Sequence, residues 1–217
     1  NESFSLNASM YANFLNIIKG SGPNYQVGKL DMYFSKNNWH INLGTQTTPN
    51  GMSLNLGFIN QTVQTYFQLG NDITKANADF ALKYGLGFKF NAGYNGGWTY
   101  ARIDGGISLD AIIIHGNNLQ CDGSQAGIYG WYGAGNLRAN LHAEAGVHID
   151  YDLWFTSGTI HEKVLDASVG LDLTIKGPKP LYAAGNMNVS YSVGCCRIFE
   201  SRGSFNASFS EGTNCNF

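Results

Sequence analysis

Residues 136–150 read NLRANLHAEAGVHID, and apolar and polar side chains alternate along them. A period of two residues is that of a β-strand, whose successive side chains point to opposite faces of a sheet. No convincing window shows the 3.6-residue period of a helix. The chain is therefore predicted to be all-β. The same alternation covers residues 3–14, 78–92, 101–113, 165–175 and 181–193.

The pattern predicts roughly eleven strands, several of about 11 to 15 residues, which is longer than the usual 5 or 6. Short connections, such as the predicted hairpin turn at Asn95-Gly96, favour antiparallel pairing. One side of each strand is apolar and the other is rich in Asn, Ser and Gly, as in a sheet packed on one side. We expect a sandwich or a barrel-like sheet. Residues 1–217 are predicted to be a single domain, or a fragment of a larger protein, with a weak boundary near residues 95–97.

Composition narrows the classes of function. Only 13% of the residues are charged and the net charge is −2, so no basic surplus exists to neutralise a nucleic-acid backbone. No run approaches 18 apolar residues, and a membrane-spanning helix is not expected. The alternation fits a soluble sandwich with its apolar face inward, or an outer-membrane β-barrel with that face outward. The spread of Phe, Met and Leu through the strands favours the soluble or surface-exposed structure.

The ends and the cysteines bear on the cellular compartment. The chain begins within an alternating segment, which favours a mature product or a piece of a longer polypeptide. Its cysteines, Cys121, Cys195, Cys196 and Cys215, allow three pairings and contain no C-x-x-C spacing. Disulfides in an oxidising compartment are expected. We predict a Cys121–Cys215 bond, because both residues lie in irregular segments whose Cα separation can adjust.

The polar residues give no recognisable catalytic set. His142, Glu144 and His148 share one strand face, but a single strand cannot supply three close metal ligands. Asp104 and Asp110 also share a face, but lie about 20 Å apart along a strand, which is too far for a glycosidase pair. Nucleophile-elbow, Walker-type and zinc-protease motifs are absent from the sequence. We therefore expect a non-catalytic protein without metal or cofactor.

Aromatic residues near predicted turns are candidates for stacking on sugar rings. The alternative for these rings is packing within hairpins, where aromatic pairs stabilise neighbouring strands. The residues are Trp98, Tyr100, Tyr129, Trp131 and Tyr132.

Several segments occur in a familiar order, and the weight lies in that order rather than in any one motif. They are WHINLGT at 39–45, YFQLGNDI at 66–73, residues 105–110, Cys121, GIYGWYGAG at 127–135, Pro178 and Pro180 before Gly185, GSFN at 203–206 and EGTNC at 211–215. Over about residues 39 to 215 the chain resembles the C-terminal all-β region of large, uncharacterised, secreted or surface proteins of the Bacteroidetes. It departs from them at VGCC, residues 193–196. The resemblance implies an extracellular, outer-surface or outer-membrane location, and it implies no activity or site residues.

We therefore predict a non-catalytic structural or assembly module of a bacterial cell-envelope or extracellular, fibre-like protein. The alternatives are an outer-membrane β-barrel that serves as a channel or anchor, and a carbohydrate-binding module. The expected partners are other protein chains, or the rest of a larger polypeptide, which would pair with the strand edges. Residues 4–14 and 205–217 contain no Lys, Arg or Pro, the residues that usually guard such edges. Nucleic acid is not an expected partner, a membrane is expected only for a barrel, and a glycan only for the binding module.

Overall fold

The computed structural model describes residues 2–74, 78–195 and 199–215. They form strands throughout, with one short 3₁₀ turn at Pro23–Tyr25, so the all-β prediction is confirmed. Within these ranges, no helix has the length and hydropathy needed to cross a bilayer. The strands are β1 (Phe4–Tyr11), β2 (Asn13–Phe14), β3 (Ile18–Gly20), β4 (Gln26–Phe34), β5 (Trp39–Leu43), β6 (Asn50–Asn55), β7 (Ile59–Gly70), β8 (Phe80–Gly96), β9 (Thr99–His115), β10 (Gln120–Cys121), β11 (Ser124–Gln125), β12 (Trp131–Leu153), β13 (Thr156–Gly177), β14 (Tyr182–Cys195) and β15 (Phe199–Gly212).

One large antiparallel sheet contains nearly all of these strands. Its order is β1-β4-β5-β7-β8-β9-β12-β13-β14-β15, with β6, β3 and β2 attached beside β7. The short strands β10 and β11 form a separate hairpin. Among the described residues no ladder joins β1 to β15, so the sheet is open, with these two strands at its ends.

The hairpins of this sheet are longer than the sequence pattern predicted. Strand β12 has 23 residues and β13 has 22. Strands β8 and β9 pair over their full length, and the turn between them consists of Gly97 and Trp98, two residues beyond the predicted turn. Gly97 has a φ of 67°, a conformation that glycine adopts without steric cost. The weak boundary predicted near residues 95–97 therefore coincides with the tip of a continuous hairpin.

Register keeps one face of the sheet apolar and the other polar. Leu86, Leu109, Leu137 and Leu173 lie directly opposite one another in four consecutive strands. The apolar face is defined by such residues: Phe67, Leu86, Phe88, Ile107, Leu109, Leu137, Leu141, Val169, Leu171, Met187, Val189, Phe205 and Phe209. The polar face is defined by the alternate positions: Gln64, Tyr66, Lys89, Asp104, Ser108, Asp110, Arg138, Asn140, His142, Asp172 and Asn186.

A β-bulge corrects the register of the longest hairpin. Ala145 pairs with Leu165, but the next residue, Gly146, pairs with Lys163, which leaves Val164 as the extra residue. In the sequence, the alternation of β13 slips by one residue at this point. The bulge thus keeps both halves of β13 in phase with β12.

A small buried cluster lies at one end of the polar face. It is covered by the segment between β9 and β12 and by the C-terminal segment, which are joined by a Cys121–Cys215 disulfide with a Cα separation of 5.5 Å. The predicted bond is confirmed, and Cys196 lies outside the described residues. Lys176 also donates a hydrogen bond to the Cys215 carbonyl at 2.8 Å. The cluster consists of Ala81, Ile114, Leu119, Cys121, Ala126, Tyr132 and Cys215.

The apolar face has no second layer within the described residues. The chain exposes 14,090 Å², whereas a compact protein of 23.6 kDa exposes about 9,800 Å². Side chains at the centre of the apolar face are far from buried, and Leu109 is 40% exposed and Leu141 42% exposed. The structure is therefore a single-layer sheet with one local core.

Two adjacent isoleucines test this single-layer arrangement. Ile114 is 2% exposed in the buried cluster, whereas Ile113 is 46% exposed on the apolar face. We expect Ile114→Ala to lower the free energy of unfolding by about 2 to 4 kcal/mol, and Ile113→Ala by about 1 kcal/mol or less. Urea unfolding of the monomeric protein measures both. Equal losses at the two positions would contradict the assignment of the core to the polar side.

Candidate functional site

The polar face is concave. Side chains from β7, β9, β12 and β13, namely Tyr66, Asp110, Asn136 and Thr174, line one cavity of about 190 Å³ together with Gln46. In a flat sheet the five consecutive strands from β7 to β13 would spread over about 19 Å. Their convergence on one cavity means that the sheet curls toward its polar side. The apolar face is consequently the convex one.

A second cavity of about 380 Å³ adjoins the first and shares Tyr66 and Asp110 with it. Its floor includes the backbone of Gly85, Gly87 and Gly106. Its rim is polar and includes Lys89, Arg138 and Asn140 beside Gln46, Gln64 and Ser108. Such a groove presents hydrogen-bonding groups to water along the inner side of the sheet.

Tyr66 is the most enclosed polar side chain of this groove. It is 7% exposed, its hydroxyl donates a hydrogen bond of 2.7 Å to Asp110 Oδ1, and its ring covers Gly85 on the neighbouring strand. The alternation of β7 places Tyr66 on its polar side, but the sequence pattern does not indicate that Asp110 is its partner. Tyr66 on β7 reaches past β8 to Asp110 on β9, and Gly85 on β8 leaves room for its ring.

Carboxylates and a histidine form an ion-pair network farther along the polar face. His142 Nδ1 lies 3.3 Å from Asp104 Oδ1, and its Nε2 lies 3.2 Å from Asp166 Oδ1. Lys163 Nζ contacts Asp166 at 2.7 Å and Glu144 at 3.1 Å. Each carboxylate of the network thus has a basic side chain within contact distance. Arg102 extends it by pairing with Asp104 at 3.2 Å.

A second histidine pair lies beyond the bulge. His148 and His161 are cross-strand neighbours whose Nδ1 atoms lie 3.0 Å apart, and His148 Nε2 contacts Asp150 at 3.1 Å. The pKa of the exposed Asp150 carboxyl is lowered mainly by a hydrogen bond from Thr159 and further by a hydrogen bond from His148. His148 therefore belongs to a different network from His142 and Glu144, and the structure does not bring these three residues together. The described residues contain no group of three or more His, Cys, Asp or Glu side chains arranged to hold a metal ion.

The structure also separates the two candidate carboxylates on β9. Asp104 contacts His142, whereas Asp110 accepts the Tyr66 hydroxyl. A third carboxylate, Asp172, pairs with Arg138 at 3.1 Å and accepts from Asn136 at 2.8 Å. Each of these carboxylates is thus held in a contact of its own.

The five candidate stacking aromatics fall into two distant groups. Trp98 and Tyr100 lie at the β8–β9 turn, and Tyr129, Trp131 and Tyr132 lie at the opposite end of the strands, about 50 Å away along β9. Tyr132 is only 2% exposed, so its assignment as a stacking surface is wrong. The ring of Tyr100 covers Gly146, and Trp131 packs against Phe80 and His115, as hairpin packing predicts. Trp98 and Tyr129 remain well exposed.

Comparison of the chain with protein-family models, curated proteins and solved structures finds no match. The geometry of the sheet and its side chains is therefore the basis for assigning a function.

Removal of one oxygen atom tests the Tyr66–Asp110 hydrogen bond. Tyr66→Phe keeps the ring over Gly85 but removes the hydroxyl, which leaves the partly buried Asp110 without this donor. We expect the free energy of unfolding to fall by about 1 to 3 kcal/mol. Tyr84→Phe is the matched control, because Tyr84 lies on the apolar face and pairs with Ala111. Chemical denaturation of both variants checks the difference, and an unchanged midpoint for Tyr66→Phe would refute a stabilising role for the bond.

Proposed function

We propose that this chain is a non-catalytic structural module that assembles through the two edges of its sheet. Strand β1 pairs with β4 and β15 pairs with β14, and within the described residues neither has a partner on its other side. At about 3.4 Å per residue, these edges extend for about 27 Å and 48 Å. Open edges of this length, which present unpaired N–H and C=O groups, are the observation that carries the proposal.

Both edge strands carry little of the usual protection against pairing: β1 has one irregularity, at Met10 and Tyr11, and the charges of β15 are Glu200, Arg202 and Glu211. All eight residues of β1 are exposed, and none of them is charged or is proline. Most of β15 is exposed, and its second half, from Phe205 to Gly212, contains no Lys, Arg or Pro. Monomeric proteins usually blunt such edges with charges, prolines or bulges. Addition of a strand from another chain, or from another part of a longer polypeptide, satisfies these groups.

The polar face supports a non-catalytic role. Asp104, Asp166 and Asp172 form ion pairs with Arg102, Lys163 and Arg138, respectively, and Asp110 accepts a hydrogen bond from Tyr66. Side chains held in this way stabilise a curved sheet and line a polar groove. They are not arranged as an activated nucleophile beside a base.

The proposed location is the extracellular space or the outer surface of a bacterium. The Cys121–Cys215 disulfide supports it, since such bonds persist in oxidising compartments. The motif order that resembles surface proteins of the Bacteroidetes agrees with this location, and that origin stays a prediction.

Hydrogen exchange tests edge pairing directly. At low protein concentration, we expect amides on the outer sides of β1 and β15 to exchange fast, because solvent is their only partner. They should become protected as the concentration rises or when a strand-donating partner is added. Strand β9, which is paired on both sides, is the internal control and should stay protected throughout.

A matched pair of lysine substitutions separates edge pairing from general charge effects. Asn7→Lys places a charge on the edge strand β1, whereas Asn140→Lys places the same charge on the interior strand β12. Because edge lysines block strand addition, only Asn7→Lys should abolish the concentration-dependent protection of β1. Strong protection of both edges at every concentration in the unsubstituted chain would overturn the proposal.

A further inference from the structure

The convex apolar face is free of charge over most of its height, apart from Glu211 on the edge strand β15. Residues that pair directly across neighbouring strands form rows, or levels, across the sheet. Each level is named here by its residue on β9. Between the levels of Ile103 and Ile113, the described residues of β7, β8, β9, β12, β13 and β14 place no Asp, Glu, Lys, Arg or His on this face. Between these levels, the charged residues of the same strands lie on the concave face. This separation of charge by face is complete across six adjacent strands.

Tryptophan and tyrosine lie on either side of a central zone of the apolar face, and Tyr84, opposite Ala111, borders that zone. The three central levels, those of Gly105, Ile107 and Leu109, carry aliphatic residues, Phe and Gly with a few small or uncharged polar residues, and no Trp or Tyr on the described strands. At one end, Phe4, Phe34 and Trp39 form a row in which Phe34 and Trp39 are stacked with centroids 6.3 Å apart. Phe80 and Trp131 continue that end. At the other end lie Tyr94 and Tyr191.

The distribution of aromatic and aliphatic side chains along the strands matches the change in polarity from the surface to the centre of a lipid bilayer. Trp and Tyr favour the membrane–water interface, where an apolar ring and a polar atom are both accommodated. From Ile103 to Ile113 the strand rises about 34 Å. With the 35 to 45° inclination usual for strands in membranes, this charge-free span, whose outer levels include Tyr84 and Tyr191, corresponds to a height of about 26 Å, close to the usual lipid-facing band of about 25 Å.

The shape of the face also favours lipid over a second copy of the chain. The face is convex, and two identical convex surfaces touch along a narrow strip, whereas fluid acyl chains follow any contour. The exposed surface exceeds that of a compact protein by about 4,300 Å². We propose that the convex apolar face contacts the hydrocarbon of a phospholipid bilayer, with the polar groove on its inner side facing water. Edge pairing concerns the rims of the sheet and lipid contact concerns its face, so the face can fail to contact lipid while the edges still pair.

Neighbouring residues on opposite faces supply the test. The chain is prepared with its four native tryptophans replaced by Phe and with one new tryptophan, either Leu109→Trp on the apolar face or Ser108→Trp on the polar face. Each protein is mixed with phosphatidylcholine vesicles whose lipids are brominated near the end of the acyl chain or near the head group. We expect tryptophan at position 109 to lose fluorescence most strongly with bromine near the chain end. Tryptophan at position 108 should be unaffected by either lipid.

Trp39 and Trp154 check the depth of the contact in single-tryptophan proteins. Trp39 lies in the aromatic row at one end of the apolar face and should be quenched by bromine near the head group, whereas the exposed Trp154 at the β12–β13 turn should not. Leu109→Asp should lower vesicle binding at least about tenfold, and Ser108→Asp should leave it unchanged. Circular dichroism of each variant confirms that the sheet is retained.

Two results would overturn the proposal. Fluorescence at position 109 that neither brominated lipid reduces would exclude contact with acyl chains. A blue-shifted emission at position 109 that rises with protein concentration in the absence of lipid would assign the face to a second copy of the chain. Neither result depends on the exchange rates of β1 and β15, which test the edges separately.

Discussion

The register of strand pairing is the constraint on which the rest of the structure depends. Because side chains alternate with a period of two, a slip of one residue in any ladder would exchange the two faces of the next strand. The row Leu86, Leu109, Leu137 and Leu173 shows the register maintained through four strands. Where β13 contains one residue too many, Val164 is left unpaired and the faces stay in phase. The charge-free face, the polar groove and the ion-pair networks all follow from this alignment.

Aromatic rings placed over glycines help to fix that register. Tyr66 covers Gly85, Phe209 covers Gly185, Tyr191 covers Gly203 and Tyr100 covers Gly146, and each pair is directly opposed across a ladder. A side chain at any of these glycines would collide with the ring, so the ring specifies where the glycine must lie. An aromatic side chain over a strand glycine also shields backbone that would otherwise be bare. This explains why the chain combines 28 Gly with 12 Tyr and 13 Phe and still forms long, regular strands.

Local alternation was sufficient to predict strands, antiparallel pairing and the two faces, because these features depend on neighbours within one strand. It could not reveal contacts that depend on strand order. His142 meets Asp104 and Asp166 from the two adjacent strands, and Tyr66 reaches Asp110 across β8. His142 and His148 share one face of β12, but their partners could not be predicted: His148 meets His161 on β13 and Asp150 on its own strand. Tyr132 looked exposed by its position near a turn, but the segment closed by the Cys121–Cys215 disulfide covers it. That bond could be predicted because irregular segments tolerate the required separation.

The edges of this sheet and its apolar face are stabilised by different surroundings. In water, the unpaired backbone groups of β1 and β15 are solvated at little cost, but the half-exposed leucines and phenylalanines are not stabilised. In hydrocarbon the balance reverses, since the apolar side chains are stabilised and each unpaired N–H or C=O costs several kcal/mol. A sheet whose convex face lies in lipid therefore needs a partner strand at both edges. Edge pairing alone does not require that the face contact lipid instead of water. Lipid contact thus implies strand addition at β1 and β15, although strand addition does not imply lipid contact. The proposed edge contacts and lipid contact are therefore compatible in one arrangement, in which the sheet is part of a curved wall with water on its polar side.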